Sequence, residues 1–575
     1  ESQITYTGPS LNVADANDDE ETQNESTTVL KRAAENFKNT AENVTNYVIR
    51  IINKVKDNTL NVTLDNVNIT ANNDAALSVE GEGNTKITLV GRNTLTSGNY
   101  HAGLEHNEKS KDDNDDSVDT GKLTITSEKD SGILTATGGS GAAGIGGARN
   151  NGAGIIEIAG GTITEAIGGD GGAGIGGGAN SSQATTINIT GGTIKNATGT
   201  DGGAGIGGGK NSSGATNVNI SRGEVHASTG YGNGGAGIGG GKESSGATNI
   251  EITGDALVSA DSSGGAAIGS GESSTGETTI NIHDTNPEKG VKSAFAYGGA
   301  GIGSGRYAKG KTYVTIGNAS VSTLETPAAS TNTSGAGIGT GYGSQSNADI
   351  TITESTVKAV GGTGAAIGSG SEGDVFSPPT GDPNTFKTII RITDSNVTAS
   401  SGPSAAIGSG SYSTNATEIH INGGKIEASN YSGSAIGSGD SAKGKTGIYI
   451  TGSNVTATAD IGTGIGSGTS SSGETTIDIS GGTVTAMGGG DGYDGSAGIG
   501  SGSHSTGYTH ITLHDGVTVK ATGGGDSSHG GGGGAGIGSG NRAKGNTDIL
   551  IKGATKVTAL SLIHISEPTR LQLIS

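Results

Sequence analysis

Six tyrosines, Tyr297, Tyr307, Tyr342, Tyr412, Tyr431 and Tyr493, sit directly before or after a small-residue box that recurs along the chain. A ring with an apolar face and a polar tip suits a sugar, and tyrosine is enriched at contact surfaces. The same loop positions also suit rings that pack on their own corners. A second group lies in 372–386, where an insertion holds Pro378, Pro379 and Pro383 together with Asp374, Phe376, Asp382 and Phe386. Long loops on rigid scaffolds are frequent sites of function and equally places where length drifts. Asp112, Asn114 and Asp116 follow the alternating oxygen spacing of a calcium loop. Ser117 stands where the glycine belongs, however, and Leu123 where the bidentate glutamate belongs, which suits a solvated acidic loop better. Turn acids such as Asp170, Asp201, Asp491, Asp494 and Asp526 offer calcium ligands between repeats, although Asp-Gly is first a turn signal. None of the ten histidines has zinc-ligand spacing.

Cleavage of a polysaccharide needs carboxylates and a base stacked within reach of one glycosidic bond. The acids at outward strand positions, such as Glu157, Glu251 and Asp478, are scattered, and no register repeats Asp or Glu over three consecutive repeats. The expectation is a protein that is not an enzyme.

These residues are positioned by a repeat. An isoleucine inside a box such as Ala204-Gly205-Ile206-Gly207 recurs thirteen times, at Ile145, Ile175, Ile206, Ile238, Ile268, Ile302, Ile338, Ile367, Ile407, Ile436, Ile465, Ile499 and Ile537. The spacing stays between 29 and 40 residues. A unit of that size is too poor in apolar residues to close its own core, so it must bury its face on its neighbours and form a solenoid. The 113 glycines sit at fixed positions beside β-branched residues, which marks them as structural punctuation. With no cysteine there is neither a disulfide framework nor a thiolate metal site. A formal net charge of -21 argues against a nucleic acid partner, and no apolar run approaches membrane-spanning length.

One repeat shows the plan. After the box come a polar turn, Thr216-Asn217-Val218-Asn219-Ile220, then Gly223-Glu224-Val225-His226-Ala227 and a Gly-rich turn. Alternation predicts three short strands with Ala204, Ile206, Val218, Ile220, Val225 and Ala227 inward, giving an all-β, right-handed parallel β-helix of about fifteen coils of about 30–35 residues. Eight residues past the box isoleucine stand Gly214, Gly246, Gly276, Gly310, Gly444, Gly473, Gly507 and Gly545, a corner expected to be left-handed. The same alternation points Gly205 and Gly207 outward, together with Gly301 and Gly337. It predicts a bare face for close contact with a sugar chain or for self-association, unless these glycines only supply bends.

Ala75-Ala76-Leu77 and Ala102-Gly103-Leu104 occupy the box position in two divergent coils ahead of the thirteen. The domain reading is a disordered acidic segment over 1–27, a cap over 28–58 that is helix and then strand, and the β-helix over 59–559. Residues 560–575, beginning Leu560-Ser561-Leu562-Ile563-His564, resemble a translated sequencing adapter and are expected to be a non-native tail.

The run from Asn61 to Thr70 (Asn-Val-Thr-Leu-Asp-Asn-Val-Asn-Ile-Thr), then Ala75-Ala76-Leu77, Leu123-Thr124-Ile125-Thr126 and the Ala-Gly-Ile-Gly boxes, resembles the bacterial β-helical carbohydrate-binding domain family over about residues 45–559. The resemblance implies a secreted or surface-attached β-helix that binds polysaccharide, plant cell-wall or acidic glycans among them, with bound calcium. It transfers no catalytic motif. The rival readings are a structural stalk or self-associating element, a polysaccharide lyase or glycosidase, and, last, an ice-binding face.

Overall fold

Alternating β-branched residues do form the strands, and among the described residues every regular element is a β-strand. The computed structural model describes residues 2–6, 27–31, 48–111, 117–128, 132–230, 233–323, 334–372, 382–490, 494–525, 532–553 and 555–561. The chain divides into two compact units, Glu1–Glu277 and Thr278–Ser575. Each is a right-handed parallel β-helix.

In the first unit the box isoleucines pair in register, Ile145 with Ile175, Ile175 with Ile206, Ile206 with Ile238 and Ile238 with Ile268. Leu104 and Leu77 continue that row toward the N-terminus. In the second unit the row runs from Ile302 through Ile338 and Ile367 to Ile537. The inward residues are those that alternation selects: Ala204, Ile206, Val218, Ile220, Val225 and Ala227 are all buried. Val218 and Ile220 lie between Ile187 and Ile189 on one side and Ile250 and Ile252 on the other. Second and third strands belong to one sheet, and Thr216–Thr229 and Thr248–Ser262 each run through both positions as single strands.

The corner geometry corrects the expected one. None of the eight glycines at the eighth position past the box isoleucine has a left-handed φ. They are aligned, but by close approach: a Cβ on Gly246 would overlap the carbonyl oxygen of Gly214, and one on Gly507 that of Gly473. The left-handed residue comes three positions earlier and is rarely glycine, as at Asn180, Asn211, Glu243 and Ser273 in the first unit and Tyr307, Tyr412, Ser441 and Arg542 in the second. In most of these corners its N–H bonds the next coil, for example Asn211 N to Lys242 O at 2.8 Å, which couples the conformation to coil stacking.

The expected bare glycine face is also absent, because the chain turns so tightly from third strand to box that the box lies against third-strand backbone. A Cβ on Gly205 would stand 2.7 Å from Ala197 O and 2.8 Å from Ser228 N. Gly301 would meet Ala294 O at 2.6 Å, and Gly337 would meet Val360 O at 2.5 Å. Both are buried. Gly207 turns at φ 138°, and a Cβ there would overlap Gly239 O.

The ends differ from the expected domain limits. Ser2–Tyr6, read as part of a disordered segment, is a strand paired with Ile49–Asn53. Thr27–Lys31, read as the start of a helical cap, is a strand paired with Asn61–Asp65. The exposed edge of a coil offers a full row of backbone partners, which overrides a helical spacing of apolar residues. Residues 7–26 and 32–47 lie outside the described residues. Lys556–Ser561 pairs with Thr518–Gly523, so Leu560 and Ser561 continue the last strand, and 562–575 lie outside the described residues.

Candidate functional site on the outer sheet of the second unit

Thr residues open the second strands, apolar residues alternate inward, and the residues between them form rows on the outer face. In the second unit the strands Lys387–Thr393, Ala416–Asn422, Thr446–Thr451, Thr475–Ser480, Thr509–His514 and Thr547–Ile551 stack in parallel. One outward row reads Arg391, His420, Tyr449, Asp478, Thr512 and Leu550. The adjacent row reads Ile389, Glu418, Gly447, Thr476, His510 and Asp548.

The rings of His420 and Tyr449 stack at 4.9 Å with planes 12° apart. Gly447 makes room for this, since a Cβ there would stand 3.0 Å from Tyr449 Cε2. Glu418 accepts from His420 Nε2 at 2.6 Å and pairs with Lys387, which holds its carboxyl below the usual range, with His420 adding to the effect. Arg391 pairs with Asp349 at 2.5 Å. Farther along, Lys445 binds Glu474 at 2.8 Å and depresses its pKa. His514 lies between Asp478 at 2.8 Å and Asp515 at 2.7 Å; the bond to Asp478 is the main cause that raises its pKa, against some desolvation. Tyr508 packs at 4.2 Å on His510 and donates to Asp548, which pushes the phenol up. The surface is therefore aromatic, hydrogen-bonding and mixed in charge, held on strands and not on mobile loops.

Among the described residues, the tyrosines singled out by sequence lie elsewhere. Tyr307 and Tyr342 meet edge to face at 5.7 Å, with the Arg306 guanidinium over both rings at 4.6 and 5.4 Å and donating to Tyr307 Oη at 2.9 Å. Tyr297 is exposed and packs edge-on against Phe295, Tyr431 is exposed, and Tyr412 is half-buried. Asp382 is exposed and Phe386 half-buried. Tyr493, Asp374, Phe376, Asp112, Asn114 and Asp116 lie outside the described residues. Among the turn acids, Asp170 accepts from Ser140 Oγ, Asp201 pairs with Lys210, and Asp494 with Arg542. Among the described residues no group of three or more His, Asp or Glu is arranged to hold a metal ion. Nor is any helix there long and apolar enough to cross a membrane.

The outer rows carry a sequence signal. His420, Tyr449 and Asp478 all stand thirteen residues past a box isoleucine, and Glu418 and His510 stand eleven past one. Reading along one strand hides them, because partners are about a coil apart.

Residues 187–210, 350–371, 390–411, 419–440 and 477–503 match a family model described as a beta helix repeat. No curated protein and no solved structure compared with the chain matches it significantly. Each matched segment leads from a second strand through a third strand into a box, so the chain carries β-helix repeats in both of its units.

Proposed function

We propose that this chain is a non-catalytic polysaccharide-binding or adhesive β-helix of a bacterial surface or secreted protein. The carrying observation is the partly exposed His420–Tyr449 stack beside the Glu418–Lys387 and Glu418–His420 pairs on a rigid sheet face. Stacked rings supply flat apolar area for pyranose faces, and the flanking ions supply hydrogen bonds to hydroxyls. The Arg306–Tyr307–Tyr342 corner is a second aromatic contact of the same character. On this face a non-catalytic role is supported by the acids: lysines lower the pKa of Glu418 and Glu474, whereas a glycosidase needs one carboxyl kept protonated, and the carboxyls that burial pushes up, Asp261, Glu372 and Asp440, lie outside these rows. The net charge of -21 favours neutral glycans, or acidic ones bridged by calcium.

The test is retention of the purified chain on a panel of neutral and acidic polysaccharides, with calcium and with chelator, while reducing ends are counted. Retention without new reducing ends supports the proposal. New reducing ends would mean a lyase or glycosidase, and retention on no glycan would mean a structural stalk.

A further inference from the structure

The corner between box and second strand differs between coils by a single hydroxyl. In the second unit the residue two past the box isoleucine is Ser or Thr, and its oxygen accepts from an N–H of the next coil. Gly341 N bonds Ser304 Oγ at 3.1 Å, Gly370 N bonds Thr340 Oγ1 at 3.0 Å, and Gly468 N bonds Ser438 Oγ at 2.9 Å. The same hydroxyls reach a buried serine of the next coil, as Ser304 reaches Ser344 at 3.4 Å and Ser467 reaches Ser505 at 3.2 Å.

In the first unit that position is Gly147, Gly177, Gly208 and Gly240, and Ser270 only in its last coil; above Gly147 the next coil's Gly178 N is served by Asn151 O, which leaves Gly177, Gly208 and Gly240. The groups left behind are those the hydroxyl would have served. Gly209, Gly241 and Gly271 have no acceptor for their N–H among the hydrogen bonds of the described residues. Ser212, Ser244 and Ser274, at most 4% exposed, have hydroxyls without a partner there. Unlike polar groups converge on each missing side chain. A Cβ on Gly208 would stand 2.8 Å from Thr216 Oγ1, 3.2 Å from Gly241 N and 3.3 Å from Ser212 Oγ. One on Gly240 would stand 2.9 Å from Thr248 Oγ1, 3.2 Å from Ser244 Oγ and 3.3 Å from Gly271 N. At Gly177 the neighbours are Thr185 Oγ1 at 3.0 Å and Gly209 N at 3.3 Å.

We propose that the first unit holds an internal file of water sites, one at each of Gly177, Gly208 and Gly240, in place of the serine hydroxyl. A buried N–H left unpaired is costly, and a buried water is held by two to four polar partners, which these corners provide. The occupant is water and not a cation, because the backbone group facing it is a donor. Each water accepts from the glycine N–H and exchanges hydrogen bonds with the Ser and Thr hydroxyls. None of the three glycines has a left-handed φ, so serine fits their backbone as it does in the other unit.

The experiment combines oxygen-17 water relaxation dispersion and high-resolution crystallography of the full chain with the double substitution Gly208→Ser and Gly240→Ser. The expected result is density within hydrogen-bond distance of Gly209, Gly241 and Gly271 N in the parent. The double variant loses two long-lived waters and its first unit melts about 2–4 °C higher. An unchanged count of long-lived waters in a folded variant would overturn the proposal. Should the variant fail to fold, parent density decides: clear peaks support the file, and empty corners refute it.

Discussion

Ile220→Ala is the sharpest probe of coil stacking. Ile220 is 1% exposed and lies in register between Ile189 and Ile252, themselves fully buried. Truncation removes three carbons' worth of burial and leaves a cavity. Because both neighbours are fixed by their own ladders, the site cannot collapse, and the cost belongs in the upper part of the usual range of about 2–5 kcal/mol. The matched control is Asn219→Ala, which faces outward on the same strand and loses one bond to Asn188 at 2.8 Å, worth about 1 kcal/mol or less. Urea unfolding followed by hydrogen exchange of strands Thr185–Ile189 and Thr248–Ser262 reads the loss locally, which matters because long repeat arrays need not unfold as one unit. An Ile220→Ala loss no larger than that of Asn219→Ala would show that the faces are assigned backwards.

Gly207→Ala should abolish folding of the surrounding coils, since φ 138° and overlap with Gly239 O leave no room for a methyl; wild-type-like exchange protection there would contradict the stacking. Glu243→Asn should stabilise by about 0.5–1 kcal/mol in thermal or urea melts, because Glu243 holds φ 56° at a cost that asparagine largely avoids. His514 should titrate above its ordinary value of 6.5 by NMR, and Asp478→Asn should bring it down. A raised folded pKa means that this contribution to stability is complete below the unfolded value and fades as pH rises through the folded one. The pH dependence should flatten in Asp478→Asn, and an unchanged titration would remove Asp478 as its cause.

The period and the inward alternation were legible because both repeat one local pattern: Ile206 marks its coil as plainly as Ile175 marks the one before. Faces were less legible. Gly205 alternates as if outward, yet Ala197 and Ser228 cover it, and only the tightness of the turn after Gly199 decides that. The left-handed corner escaped composition because Tyr307, Glu243 and Tyr412 are poor candidates for it, yet the N–H of each bonds a carbonyl of the next coil. Thr27–Lys31 took its conformation from an available sheet edge, a partner that no helical wheel contains. The His420–Tyr449 stack needed register, for the two residues are local to different coils and meet only when the coils are laid on one another.

Placement of the ligand on the outer sheet of the second unit is tested by affinity electrophoresis of the parent beside the His420→Ala/Tyr449→Ala double variant. Both side chains point outward, His420 with 41% of its side chain exposed and Tyr449 38% exposed, so the variant is expected to keep its fold, which circular dichroism verifies. Retention of the variant is expected to be at least about tenfold weaker on whichever polysaccharide the parent binds. Equal retention by the two folded proteins would contradict that placement.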